Sequence, residues 1–244
     1  MPIINSWNFP VFKGNLSEIG YQNQRQFVIN TISPNSYGLA CKNPVVKEAL
    51  QKSDILILDG LYFGCVALFK HGIRINRITG WDAFVFFSNE LNKNSGKVFF
   101  LGSSEETLDK IKKRYNAEYQ NVEVDSYSPP FKQEFTEEDN QSIFKAINVF
   151  RPDVVFIGMT APKQEVWAFR NKTSLDTKVI CSVGNVFDWY AGNGTRPGRF
   201  WQKTGMEWLI RIFYRPEIFK RNIGNQMTFF RHLFLNLLHL KKME

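Results

Sequence analysis

Five short apolar runs punctuate the chain: FVIN at 27–30, ILIL at 55–58, VFFL at 98–101, VVFIG at 154–158 and VICSV at 179–183, with a weaker VEV at 122–124. Continuous runs of this kind have no polar face, so they suit strands buried on both sides, as in parallel sheets covered by helices. The segments between them supply such helices. VVKEALQKS, EETLDKIKKRY and EEDNQSIFKAINVF repeat apolar residues at helical spacing, and in the last of these Phe144, Ile147 and Phe150 share a face. The alternation predicts an α/β fold, a Rossmann-like, mostly parallel sheet flanked by helices. The proline pair of SYSPPF, 126–131, marks a loop within it.

Several chemistries need residues that this chain lacks. A dinucleotide site needs G-x-G-x-x-G after its first strand and a P-loop needs G-x-x-x-x-G-K-[ST]; neither occurs, and GNGTRPG at 192–198 has the wrong spacing. That disfavours a nucleotide-sugar epimerase or dehydrogenase. No Asp-x-Asp pair is present to hold a divalent metal against a diphosphate, and His71, His232 and His239 make no metal cluster, the last two reading as surface or interface residues. No cofactor is expected. Cys41, Cys65 and Cys181 are odd in number and scattered, which fits a reducing cytosol. The opening MPIINSWNFPVF has no basic region followed by an apolar core, and no window of eighteen uninterrupted apolar residues occurs. Neither a signal peptide nor a membrane span is expected.

The charge is unevenly placed. Residues 196–244 hold ten Lys and Arg against three acids, so they carry +7 of the net +8. A nearly neutral body, 1–195, and a basic appendage, 196–244, call for an anionic partner on one side of the molecule. Within the appendage, Phe229, Phe230, Leu233, Phe234, Leu237 and Leu238 form one helical stripe, followed by Lys241 and Lys242. Such a stripe either docks on a core or lies on an anionic bilayer. A basic aromatic tail could also make the chain a non-enzymatic binder of a membrane or polyanion.

The strand ends are polar and rich in glycine. FVIN is followed by Thr31, Ser33 and Asn35, ILIL by Asp59 and Gly60, VFFL by Gly102-Ser103-Ser104, VVFIG by MTAPKQE, and VICSV by GNVFD ending at Asp188. In open α/β sheets the carboxyl ends of strands border the ligand crevice. Small residues before a helix also let backbone N–H groups approach a phosphate. Asp59 on its own is either a turn or cap residue or a catalytic acid; five polar strand ends on one edge make a site hypothesis.

The set SPN (33–35), DG (59–60), RITGWD (77–82), GMTAPKQE (158–165), VGNVFDWYAG (183–192) and TGMEWLIR (204–211) resembles the WecG/TagA/CpsF family of bacterial glycosyltransferases, in the family's order. The resemblance implies transfer of a sugar, commonly of N-acetylmannosamine type, from a UDP donor to an undecaprenyl-diphosphate-linked sugar. Such reactions build teichoic acid linkage units and other surface polysaccharides. It implies that Asp59 is the catalytic base, and that Arg211 and Arg221 pair with the diphosphate in place of a metal. An inverting transfer needs one such base, to take the proton of the attacking hydroxyl. The partners so implied are the UDP-sugar, the lipid-linked acceptor and an anionic membrane surface, with no nucleic acid and a homo-oligomer left open. The place implied is cytoplasmic, peripheral at the inner face of the cell membrane.

The substrate-binding candidates are then Ser33, Asn35, Arg77, Asp82, Gly102, Gln164, Asp188, Arg211 and Arg221. Gln164, between Pro162 and a helix start, reads as a donor contact. Arg77 and Asp82 read first as a pair across the RITGWD loop and second as donor contacts. Asn35 bonds either its own turn or a ligand. Asp188 reads first as the cap of its turn, and Phe187 and Trp208 as core. Four departures from the family pattern stand out: Ser33 for threonine, Tyr62 for a glycine, Arg196-Pro197-Gly198 for R-A-P, and Ile218 for an arginine. The donor sugar is therefore not copied from any one relative.

Overall fold

A computed structural model describes residues 2–20, 25–198, 200–201 and 216–241, with the side chains of 61–63, 70–71 and 239–241 excepted. The apolar runs become strands β3 (Phe27–Ile32), β4 (Ile55–Leu58), β5 (Lys97–Leu101), β7 (Val154–Ile157) and β8 (Val179–Ser182). VEV is the start of β6 (Glu123–Tyr127), and an amino-terminal hairpin adds β1 (Ile3–Ser6) and β2 (Phe9–Phe12). The sheet order is β1-β2-β4-β3-β8-β7-β5-β6, antiparallel only between β1 and β2.

Both faces of the sheet are covered, which is why its strands read as unbroken apolar runs. Ile55 and Ile57 of β4 point to one face, and Leu56 and Leu58 to the other. The first face carries α4 (Gly80–Lys93), α5 (Glu105–Glu118) and α8 (Val186–Tyr190), through Phe84, Phe87, Ile111, Tyr115 and Phe187. The second carries α1 (Pro34–Lys42), α2 (Pro44–Gln51), α3 (Leu61–His71), α6 (Glu137–Phe150) and α7 (Lys163–Asn171). The steps β3 to β4 and β5 to β6 run in opposite directions and cross opposite faces, as right-handed crossovers require.

Helix starts follow local chemistry. Ser33 caps α1 with Pro34 in its first turn, Asn43 caps α2, Ser104 caps α5, and Thr136 with Asp139 forms a capping box on α6. In α6 the fully buried line is Ile143 and Ile147, with Phe144 and Phe150 half-covered beside it.

The carboxyl-terminal helix α9 (Pro216–Lys241) packs on α1. Gly38 makes this possible: a Cβ there would lie 2.3 to 2.6 Å from the backbone of Asn225. Lys42 Nζ and Asn35 tie to the Asn225 side chain at 2.7 and 3.1 Å, and Tyr37 OH meets His232 Nδ1 at 2.9 Å. His232 is thus a packing partner and not a free surface residue. The apolar stripe divides: Phe229 is fully buried among Phe9, Val11, Ile32 and Tyr37, and Phe230 and Leu233 are partly covered, whereas Phe234 is 61% and Leu238 42% exposed.

The division predicts unequal costs. Phe229→Ala should lower unfolding free energy in urea by about 3–5 kcal/mol, the cost of a large cavity. Phe234→Ala, five residues on, should change it by roughly 0.5 kcal/mol or less.

Candidate active site

Parallel strands end together, and here the ladder continues one residue past each strand. Asp59 N–H donates to Ile32 O, Gly102 N–H to Tyr127 O, Gly158 N–H to Leu101 O, and Val183 N–H to Ile157 O, at 2.9 to 3.0 Å. The polar residues after β4, β5, β7 and β8 are therefore anchored on one edge. Helices leave β3 and β7 toward one face and β8 and β5 toward the other, the arrangement that in open α/β sheets places a ligand crevice along that edge.

Small residues bring the pieces into contact. A Cβ on Gly60 would lie 2.9 Å from Pro34 Cδ, so the Asp59-Gly60 turn rests on the SPN turn. A Cβ on Gly80 would lie 3.4 Å from the Val183 backbone, one on Gly102 3.0 Å from Gly158 O, and one on Gly158 2.1 Å from the buried Phe187 ring. Gly102 has φ +109, a conformation that favours glycine.

Asp59 ends β4, beside the end of β3 on this edge. The RITGWD loop runs back along β4, where Ile78 N–H donates to Leu58 O at 3.0 Å, and this sets Arg77 beside the carboxylate. Arg77 Nη2 reaches Asp59 Oδ1 at 3.4 Å, with the Arg77 side chain 15% and the Asp59 side chain 37% exposed. The expected Arg77–Asp82 pair is not formed. Asp82 Oδ2 instead accepts from both the N–H and the hydroxyl of Thr79 at 2.8 Å, as the capping box of α4. The spacing T-x-x-D is the signal for that cap, and Arg77 turns to Asp59 instead.

The other candidates divide between site and scaffold. Ser33 Oγ accepts from Ser36 N–H at 3.3 Å, so its hydroxyl caps α1 at the crevice. Asn35 Oδ1 accepts from Asn225 Nδ2 of α9 at 3.1 Å. Asp188 lies half-buried in the first turn of α8, and its carbonyl accepts from Asn193 N–H at 2.9 Å. Gln164 is buried in the first turn of α7, its amide 3.5 and 3.6 Å from the Cβ position of Gly184. Arg221 is exposed on α9, one helical turn before Asn225 and so on the same side of the helix. Arg211, Trp208 and the side chain of Tyr62 lie outside the described residues.

Three features were not found from sequence. Glu165, beside Gln164, is buried, and desolvation pushes its carboxyl above the ordinary range. Asn225 lies in a polar stretch of the tail with no pattern to single it out. Arg196 stacks over the Trp81 ring at 4.9 Å, so the basic segment starts on the first turn of α4. Among the described residues, no three His, Cys, Asp or Glu side chains converge as a metal site.

The chain is similar to proteins named N-acetylglucosaminyldiphosphoundecaprenol N-acetyl-beta-D-mannosaminyltransferase. The Bacillus subtilis (strain 168) protein is 24% identical over 224 residues, 92% of this chain and 85% of the relative. Those of Bacillus spizizenii and Staphylococcus aureus (strain MRSA252) are 24% identical over 203 and 193 residues, covering 83% and 78% of this chain and 77% and 73% of theirs. The model of the glycosyl transferase WecG/TagA/CpsF family matches residues 9–243, nearly the whole of the chain. From its second strand to its last helix, then, this protein belongs to the WecG/TagA/CpsF family of glycosyl transferases.

Proposed function

We propose that this enzyme transfers a sugar of N-acetylmannosamine type, or a related hexose, from a UDP-sugar to an undecaprenyl-diphosphate-linked sugar, with inversion and without a metal. The observation that carries the reading is Asp59, a part-exposed carboxylate at the end of β4, met by Arg77 at 3.4 Å on the crevice edge. The names of the relatives support the acceptor, an N-acetylglucosaminyl-diphospho lipid.

In this reading Asp59 takes the proton of the acceptor hydroxyl while its oxygen attacks the anomeric carbon. The bond from that carbon to the diphosphate oxygen breaks on the opposite face, and UDP leaves with the electron pair. Arg77, at 3.4 Å, orients the base. The leaving diphosphate is met by Arg211 and Arg221. Residues 196–244 serve as the part that completes the site and holds the enzyme at an anionic membrane. No helix among the described residues is long and apolar enough to cross one. The exposed face of α9 suits a surface position instead: Met227, Arg231, Phe234, Leu235 and Leu238 recur at helical spacing and are all exposed.

Asp59→Asn should lower turnover by roughly 10²- to 10⁴-fold with little change in donor affinity, measured as UDP released in the presence of a soluble lipid-diphosphate-sugar analogue. A well-folded, fully active variant would remove Asp59 from the mechanism. The same assay should continue in EDTA, and a strict need for Mg²⁺ or Mn²⁺ would show that the diphosphate is neutralised otherwise. The pair Phe234→Ser and Leu238→Ser should weaken binding to anionic vesicles by about tenfold or more, in a salt-sensitive way. Activity on the soluble analogue should persist, because neither side chain is part of the core.

A further inference from the structure

Gln164 and Glu165 open α7 beside the turn that leaves β8, and their side chains are only 4% and 3% exposed. Gln164 Nε2 donates to Glu165 Oε1 at 2.9 Å. Two oxygens are left over: among the described residues neither Gln164 Oε1 nor Glu165 Oε2 has a hydrogen-bond partner. Buried acceptors are nearly always paired in folded proteins, so an unpaired one calls for a reason. The surroundings supply it. The Gln164 amide lies against Gly184, whose φ of +55 belongs to the turn between β8 and α8 on the crevice edge.

A glutamine amide can present either its NH₂ or its carbonyl to a ligand, and rotation about one bond exchanges them. A neighbouring carboxyl oxygen removes the choice, because it accepts from the NH₂ and turns the carbonyl away. Burial pushes the Glu165 carboxyl up, while the Gln164 bond opposes that shift. A proton taken up there goes to Oε2, the oxygen that Gln164 does not use, so Oε1 still accepts and the amide stays as it is.

We propose that Glu165 is a positioning residue that holds the Gln164 amide in one orientation, so that Gln164 Oε1 accepts a hydrogen bond from the donor sugar. This rests on the sugar-transfer reading above and adds what the site requires of the sugar, an N–H or O–H facing α7. The acetamido N–H of an N-acetylated hexose and a ring hydroxyl both meet that requirement.

Calorimetric titration of the full chain with UDP and with UDP-N-acetylmannosamine tests the inference. Glu165→Gln keeps the side-chain shape but lets residue 165 donate as well as accept, so the orientation of Gln164 is no longer enforced. Affinity for UDP-N-acetylmannosamine should fall about 5- to 10-fold, with affinity for UDP held within about twofold. Gln164→Met should show the same split, and the double variant should be no weaker than Gln164→Met alone, since Glu165 acts only through Gln164. Glu165→Met, which keeps an unbranched side chain of similar length without either oxygen, serves as the second variant if Glu165→Gln does not fold, with the same split expected. Equal losses for UDP and the UDP-sugar, additive losses in the double variant, or no loss in any variant would overturn the inference alone. Failure of the unaltered chain to bind UDP would overturn the transfer reading and this inference with it.

Discussion

The parallel hydrogen-bond register running from β4 through β3, β8, β7 and β5 governs the rest of the molecule. Antiparallel neighbours would place successive strand ends on opposite edges. Parallel ones place the turns after β4, β8, β7 and β5 side by side, and the ladder extends far enough to anchor their first residues by backbone bonds. A carboxylate at such a position has its main chain anchored by the ladder, and Arg77 meets its side chain. Asp59 stays partly exposed at that anchored position.

The same register explains why glycines sit where they do. Gly60, Gly80, Gly102 and Gly158 each lie where two edge segments touch or where a segment crosses a buried ring. Added side chains would push the segments apart and widen the crevice. The glycines act here on distance more than on flexibility, and Gly38 does the same for α1 and α9.

Helix α9 joins the site to the rest of the appendage. Its Asn225 holds Asn35 in the SPN turn, its Phe229 completes the core under α1, and its other side is exposed and apolar with Arg231 among the apolar residues. One helix thus couples the carboxyl-edge turns to the surface proposed to meet lipid. The binder-only alternative, in which the tail acts alone, does not account for a tail helix built into the core and hydrogen-bonded to a strand-end turn. Membership of a glycosyl transferase family sets it aside.

Much of the fold was legible in the sequence because its signals are local. Apolar runs such as ILIL and VVFI mark strands buried on two faces, and Ser33, Asn43, Ser104 and Thr136 mark helix starts. The β1-β2 hairpin was not legible, since Asn5, Ser6 and Pro10 interrupt its apolar residues and it gains its contacts from β4, α2 and α3. At the candidate site, the residue types and their strand-end placement were visible, but not their pairings. Sequence proximity favoured Arg77 with Asp82, five residues apart, whereas the backbone of the RITGWD loop lies along β4 and delivers Arg77 to Asp59. Nothing near Asn35 in the sequence points to Asn225, 190 residues later, whose Nδ2 donates to its Oδ1. Helical spacing joins the tail stripe into one face, which either docks on a core or lies on a bilayer, yet its first turn is core and its last is exposed. By itself the sequence determined which unbroken apolar runs become strands, which periodic segments become helices and which polar residues follow those strands, since these follow from periodicity and from covalent neighbours. Only the tertiary structure decided which carboxylate faces which cation, which side of α9 is buried and which buried oxygens lack a partner, because those depend on contacts between segments far apart in the chain.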